Sequence, residues 1–530
     1  MPESPTAAET ARLTGYVRRW VEELAARTHH LPELTRRLRR SVAMPEAPVA
    51  IAKFAPASRR LVVVSNRTAA PGEPRAGGLA VAVSDALAER GGGLWFGWSG
   101  RLSEANAHFQ LLTDGTLDYA LTDLSPAEHA GYYLGYANRV LWPLLHYRVD
   151  LAEFDEAAYA SYAEVNRRFA RMLAPLLRPD DLVWVHDYHL LLLGRELRAA
   201  GWPGVTGFFL HVPFPAPEMF ATLPQHAELG QALAEFDLVG FQTERHVENF
   251  RNYLIEFLGA SAHGDGLLTF RRRSIRVAAF PVGIDHDEFA ALADCRAARK
   301  VAARLRHCVG DRTLVLGADR LDYTKGLPQR LRGFERLLRD NPDLQRRVSL
   351  LQIASPSRSE LPAYGFVRTE VERMAGRING AYGDLDWTPV QHVSRFYPRE
   401  VLGGFCRVAR VGLITSLHDG MNLVAKEYVA AQDPADPGVL VLSRFAGAAD
   451  QLGAALIVNP HDPEDVAAAV RQAIRMPKDE RRRRWEALDA SVRHEDAAWW
   501  QRSFLAALQT ARPSLLPLPR QTAGGLATAV

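Results

Sequence analysis

Short, wholly apolar runs recur along the middle of this chain, each leading into a polar loop and then into helical periodicity. Leu61-Val62-Val63-Val64, Gly93 to Trp98, Leu182-Val183-Trp184-Val185, Val205 to Leu210 and Leu238 to Thr243 have this character, as do Thr313 to Gly317, Val348 to Ile353, Val411 to Thr415 and Gly438 to Ser443. Runs of that length without polar alternation suit parallel strands covered on both faces. A chain that alternates such strands with helices is α/β and doubly wound. At 530 residues it is too long for one core. Two such units are expected, facing each other across a cleft. In open sheets of this kind ligands collect beyond the carboxyl ends of the strands, so the residues that follow each run are where chemistry is sought.

The stretch His418-Asp419-Gly420-Met421-Asn422-Leu423-Val424-Ala425-Lys426-Glu427 follows the run at 411–415. It reads as strand, tight turn and helix N-terminus, a corner whose unpaired N–H groups and dipole favour an anion. Asp419 could accept from sugar hydroxyls, and Glu427, about two turns along if the helix starts near Gly420, could hold a ribose diol. An ordinary βα turn with a solvated acid accounts for the same residues. Elsewhere, Gly77-Gly78 opens a helix after the first strand, where a phosphate could approach the backbone, although a turn would look alike. Arg67 ends that strand with a planar fork that matches phosphate oxygens. Arg320 and Lys325 flank another strand-to-helix turn and together can neutralise a departing diphosphate. Asp187 and His211 follow two further strands. His186, His189 and His211 could be taken for a metal set, but ligand count and outer partners are unspecified, and hydrogen bonds to sugar hydroxyls are the sharper reading. No metal is expected.

Composition excludes several classes. Apolar residues are 47% and charged ones 24%, with a formal charge of only +3, which argues for neither nucleic acid nor membrane. Cys295, Cys308 and Cys406 lie far apart and suit a reducing compartment. No apolar run of about 18 residues is present, nor a signal-peptide core at the N-terminus. A cytoplasmic location is therefore expected. Leu13, Tyr16, Val17, Trp20, Val21 and Leu24 recur at helical spacing within a distinct N-terminal extension. The expected organisation is that extension over 1–58 (one amphipathic helix and a linker), a Rossmann-like unit over 59–285, a second over 286–490, a helix crossing the junction over 491–512 with Trp499-Trp500, and a disordered tail over 513–530.

From about residue 60 to 510 the chain resembles the trehalose-6-phosphate synthase family, retaining glycosyltransferases (family 20) of the GT-B fold, with two Rossmann-like domains. The resemblance is carried by Val64-Ser65-Asn66-Arg67, Ala76-Gly77-Gly78-Leu79, Trp95 to Gly100, Val140 to Arg148, His186-Asp187-Tyr188-His189-Leu190, His211-Val212-Pro213-Phe214-Pro215, Asp322-Tyr323-Thr324-Lys325-Gly326, Ala375 to Gly380, and the Asp419 stretch through Pro434. It implies that Arg67, Tyr133, Trp142, Asp187 and Arg358 hold glucose 6-phosphate. It also implies that Gly78, His211, Arg320, Lys325, Asp419, the backbone of Gly420, Met421, Asn422, Leu423 and Val424, and Glu427 hold a nucleoside diphosphate glucose, most of them from the second unit. The resemblance further implies a catalytic role for Asp187, His211, Arg320, Lys325 and Asp419. His418 departs from the family, which usually has arginine before Asp-Gly. The expected activity is transfer of glucose to glucose 6-phosphate, with no cofactor beyond the nucleotide sugar. UDP, GDP and ADP remain open as the nucleotide. A homo-oligomer is expected, as is a separate phosphatase acting downstream, because the chain carries no Asp-x-Asp phosphatase region. The rival readings are a transferase with another phosphorylated acceptor, such as glycerol 3-phosphate, and a catalytically silent sugar-nucleotide sensor.

Overall fold

The computed structural model describes residues 59–68, 78–104, 109–358 and 360–511. The expected N-terminal helix and the tail from 513 lie outside them, as does Gly77. Ten strands form a first sheet: β1 Leu61–Arg67, β2 Gly93–Leu102, β3 Phe109–Asp114, β4 Leu117–Leu124, β5 Leu182–His186, β6 Val205–Phe209, β7 Leu238–Phe241, β8 Ser261–Ala262, β9 Leu267–Phe270 and β10 Arg273–Ala279. Their order is β3-β4-β2-β1-β5-β6-β7-β10-β9-β8, parallel from β4 to β10 and antiparallel at both edges. Six strands form the second, all parallel: β11 Thr313–Arg320, β12 Val348–Ser355, β13 Val390–Val393, β14 Val411–Ile414, β15 Val439–Ser443 and β16 Leu456–Val458, in the order β13-β12-β11-β14-β15-β16.

The unbroken apolar runs are explained by burial on both faces. Along β1, Val62 and Val64 enter one core with Phe96, Tyr132 and Phe169, while Leu61 and Val63 enter another with Trp184, Trp500, Phe504 and Leu508. The same split divides β14 and β15 of the second sheet. Trp500 belongs to the helix Ala497–Thr510, which therefore closes the back of the first sheet although it follows the second in sequence. Its start is tied to the crossover: the N–H of Ala497 donates to the carbonyl of Ile284 at 3.2 Å.

That crossover, 280–285, is held from both sides. The N–H of Val282 donates to Oε1 of Gln242 at 3.0 Å, and its carbonyl accepts from Nζ of Lys426 at 2.8 Å. Lys426 is 1% exposed, and burial lowers its ammonium to about 7. The two walls of the cleft also touch further out. A Cβ on Gly420 would stand 2.0 Å from the carbonyl oxygen of His211, so only glycine lets the second unit's loop approach that strand end so closely.

Strand order reverses between β1 and β5 in the first sheet and between β11 and β14 in the second. The carboxyl ends of these four strands, with β6, carry Arg67, Asp187, His211, Arg320 and Asp419. These are the crevices that the topology reserves for ligands.

Candidate active site

Asp187 follows β5 with φ 74° and ψ 166°, a region that normally only glycine enters, at a strain of about 1–3 kcal/mol. It is held there by its N–H donating to the carbonyl of Phe209 at 2.8 Å and by its Oδ1 accepting from the N–H of His211 at 3.3 Å. Among the described residues, seven non-glycine positions have positive φ, and Tyr147, Asp187, Arg358 and Asn422 are four of them. All four border this cleft, so the backbone strain of the molecule is concentrated where ligand contacts are expected. Burial pushes the Asp187 carboxyl up to about 6, with two backbone N–H groups, Arg358 and Arg320 opposing. Replacing Asp187 by glycine should therefore remove activity while leaving the melting temperature equal to or above the parent's. Calorimetry beside a turnover assay reads both, and a clear drop in melting temperature would refute the strain.

The acceptor-side residues are brought together. Trp142 lies under the Arg358 guanidinium, 3.9 Å from carbon to ring centroid, and Arg320 reaches over the same ring at 5.5 Å. Arg358 donates to the hydroxyls of Tyr364 at 2.7 Å and Tyr188 at 2.9 Å, the latter from the opposite unit. Tyr133 stacks on His189 at 5.8 Å and packs against Trp98. Trp98 stands opposite Arg67 in the β1–β2 register, and the Arg67 side chain passes over Gly100. The segment bearing Tyr133, His129–Leu141, is a π-helix, and the N–H of Trp142 beyond it donates to Ala137, five residues back. Such wide turns are rare and gather at functional sites; they carry no periodic signal that sequence reading could have found.

Asp322, given no role in the sequence reading, is fully buried beneath these cations. It caps the turn by accepting from the N–H of Thr324 at 3.0 Å, and its other oxygen lies 3.8 Å from Arg358 and 4.0 Å from Arg320. Burial alone would raise this carboxyl, but Arg320 and Arg358 outweigh it and hold it below the usual range. Tyr188, Tyr364 and Asp322 were thus missed as supports, although two of them lie inside the quoted motifs.

On the donor side, Oδ2 of Asp419 accepts from Nζ of Lys325 at 2.5 Å, Nδ2 of Asn422 at 3.0 Å and Oγ of Ser416 at 3.3 Å. Burial opposes ionisation, yet Lys325 and Asn422 keep the carboxyl lowered. One oxygen is saturated and Oδ1 is left as an acceptor, which suits a sugar hydroxyl and makes this carboxylate a weak nucleophile. The helix after it spans Leu423–Ala430 with Asn422 as its cap at φ 85°. It starts later than a reading from Gly420 implies, because Asn422 takes the left-handed conformation and its side chain accepts from the N–H of Ala425 at 3.1 Å. Glu427 consequently sits in the second turn's opening, one turn from the cap. Burial raises its carboxyl to about 7, with Arg399 opposing and Glu288 adding. Gly78 begins the helix Gly78–Glu89, so its amide is at a helix N-terminus as expected. Met421 is buried in the second unit's core, with Leu423 and Val424 packed against it.

His418 stacks between Tyr147 at 4.2 Å and Phe445 at 5.2 Å. Burial lowers its imidazole to about 4, so a neutral ring bridges the two units where the resemblance would place a cation. His186 bonds His211, whereas His189 stacks on Tyr133. Among the described residues no three His, Cys, Asp or Glu side chains gather as a metal set.

This geometry of cations and carboxylates between two facing sheets has counterparts. The family model described as glycosyltransferase family 20 matches residues 50–510. The chain belongs to glycosyltransferase family 20. A trehalose-6-phosphate synthase of Sinorhizobium fredii is 47% identical over 451 residues, 84% of this chain and 97% of the relative. Among solved structures, a UDP-forming α,α-trehalose-phosphate synthase from Burkholderia xenovorans in complex with glucose 6-phosphate has a TM-score of 0.81 at 44% identity, covering 85% of this chain and all of that one. A trehalose-6-phosphate structure from E. coli bound with UDP-2-fluoro glucose has a TM-score of 0.83 at 43% identity, covering 86% and 100%. The family 20 fold is thus GT-B, and no described helix is long and apolar enough to cross a membrane.

Proposed function

We propose that this family 20 member transfers glucose, with retention, from a nucleoside diphosphate glucose to glucose 6-phosphate, forming α,α-trehalose 6-phosphate and the nucleoside diphosphate. The observation that carries this reading is the convergence of Arg320 and Arg358, from the second unit, on Trp142 and Asp187 of the first, with Lys325 beside them on Asp419. Cations meet there at a place where one phosphorylated sugar can face the diphosphate of another. The relatives named for this product, one holding glucose 6-phosphate and another a UDP-glucose analogue, support both substrates and make UDP the first nucleotide to try.

In the proposed step the bond from the anomeric carbon to the diphosphate oxygen breaks as the bond to the acceptor's anomeric oxygen forms. The acceptor hydroxyl proton passes to the leaving diphosphate on the same face. Asp419 is tied to Lys325 and is not positioned as a free nucleophile, so what the protein supplies is alignment and charge. Arg320 and Lys325 stabilise the departing oxygens, Arg67 and Arg358 hold the acceptor phosphate, and Asp187 with Asp419 orient hydroxyls. No metal or cofactor is assigned to these roles. Measured nucleotide release with EDTA present should therefore depend on glucose 6-phosphate. Release driven equally by glycerol 3-phosphate, or abolished by EDTA, would count against the proposal.

A pH signature follows from Glu427. The ribose diol is held by the ionised carboxylate, so donor affinity should rise as pH rises through about 7. One unit below that value, affinity should be about tenfold weaker. The folding linkage runs the other way. A carboxyl raised in the fold favours its protonated state, so stability declines as pH climbs from about 4.5 to about 7. Donor KM measured across this range should lose its dependence in Glu427→Gln; a slope that persists would remove Glu427 from the donor site.

A further inference from the structure

The geometry points to His186 as the residue that decides which ring nitrogen of His211 carries the proton. His186 ends β5 and is fully buried. Its Nδ1 lies 3.1 Å from Nε2 of His211, with the rings 5.3 Å apart and inclined by 28°. Both imidazoles are neutral: burial drives His186 well below its usual range and His211 down to about 3. In a neutral pair one nitrogen must donate and the other accept. Two arrangements satisfy the contact, and they differ in what they leave on the far side of each ring.

The far nitrogen of His186, Nε2, is enclosed without a hydrogen-bond partner. Its ring packs on Trp184 at 4.5 Å and Trp500 at 6.2 Å. The indole N–H groups of both tryptophans are themselves buried and unpartnered. Nε2 therefore has no acceptor within hydrogen-bond reach, in a wall that already holds two unpaired indole N–H groups. A proton placed there would be a third stranded donor, and buried N–H groups without acceptors are rarer than bare lone pairs. His186 accordingly carries its proton on Nδ1 and donates it to Nε2 of His211. His211, its Nε2 occupied as an acceptor, carries its own proton on Nδ1.

The consequence reaches the cleft. Nδ1 of His211 has no acceptor among the described residues, so it presents an N–H to whatever oxygen occupies the site. His211 donates a hydrogen bond and does not accept one. That the acceptor is a hydroxyl oxygen of the transferred sugar rests on the proposed function; the protonation pattern does not. His186, which touches no substrate, is a positioning residue acting through His211.

The test is a long-range ¹H–¹⁵N spectrum of the free protein labelled at histidine, with His211 assigned by the signals lost in His211→Asn. The expected result is a protonated Nδ1 and a bare Nε2 on His211, unchanged from pH 6 to 8. His186→Phe removes the donor and should release His211 to the Nε2–H form that imidazole prefers in water, lowering kcat about 10–100-fold, the range typical of an outer partner that fixes a histidine. His186→Asn, whose side-chain N–H takes the place of Nδ1, should restore both the spectrum and most of the turnover. A proton found on Nε2 of His211 in the parent protein, or an unaltered tautomer in His186→Phe, would overturn the inference. Because the spectrum needs no substrate, it stands or falls separately from the activity.

Discussion

Arg320→Ala is expected to lower turnover by about 10²–10³-fold, the effect of removing one group aimed at charge developing in a transition state, while the fold survives. Arg320 lies at the end of β11 with its side chain 46% exposed, and its nearest carboxylate, Asp322, is 4.0 Å away. Asp322 is fully buried but keeps the N–H of Thr324 at 3.0 Å and the Arg358 guanidinium at 3.8 Å when Arg320 is removed, so the melting temperature should fall only slightly. Lys325→Ala provides the contrast. Its ammonium is the counterion of a largely buried Asp419 at 2.5 Å, and its loss should depress both activity and stability. Turnover and melting curves for the two variants separate catalysis from scaffolding. An Arg320→Ala protein with parental kcat would remove that residue from the diphosphate site.

The second large effect lies just beneath those cations. Arg330, fully buried, donates from Nη2 to Asp319 at 2.6 Å, from Nη1 to Oε1 of Gln352 at 3.0 Å and from Nε to Oγ1 of Thr415 at 3.1 Å. Thr415 in turn donates to the carbonyl of Gly326, the residue after Lys325, at 3.1 Å. One guanidinium thus joins β11, β12, β14 and the cationic turn. Arg330→Met should destabilise the protein by about 3–5 kcal/mol, since it strands a buried carboxylate. Burial already raises the Asp319 carboxyl despite Arg330 beside it, so the pair does not fully offset its own desolvation. The double variant Asp319→Leu, Arg330→Met should therefore recover most of the loss in a denaturation experiment. Turnover should remain low in it, because the turn bearing Lys325 has lost its tether. Arg330→Met as stable as the parent would contradict this account of the second sheet.

What could be read without coordinates follows from physical range. The strands were legible because burial on both faces writes a continuous apolar run, and their polar successors, Asp187, His211, Arg320 and Asp419, were legible because parallel sheets gather their ligands at carboxyl ends. The edge strand β3 and the β8–β9 hairpin were not, being short, largely exposed and without such runs. The return of Trp500 to the first sheet, and the meeting of Lys325 with Asp419 from 94 positions away, depend on tertiary packing that no local period encodes. The residue-by-residue family likeness named both residues in separate roles, and only the fold brings them together. Asn422 displaced the helix start because side-chain capping in a left-handed residue leaves no periodic trace. Arg330 carries no signal in the sequence of a special role, and its burial could not be read from its neighbours.

The most direct test of the central claim is the anomeric analysis of the product made from glucose 6-phosphate and UDP-glucose carrying ¹³C at its anomeric carbon. The expected product is a non-reducing disaccharide phosphate whose labelled and unlabelled anomeric carbons are both α, appearing in step with UDP. A β-linked product, a reducing disaccharide, or label recovered only as free glucose would contradict it.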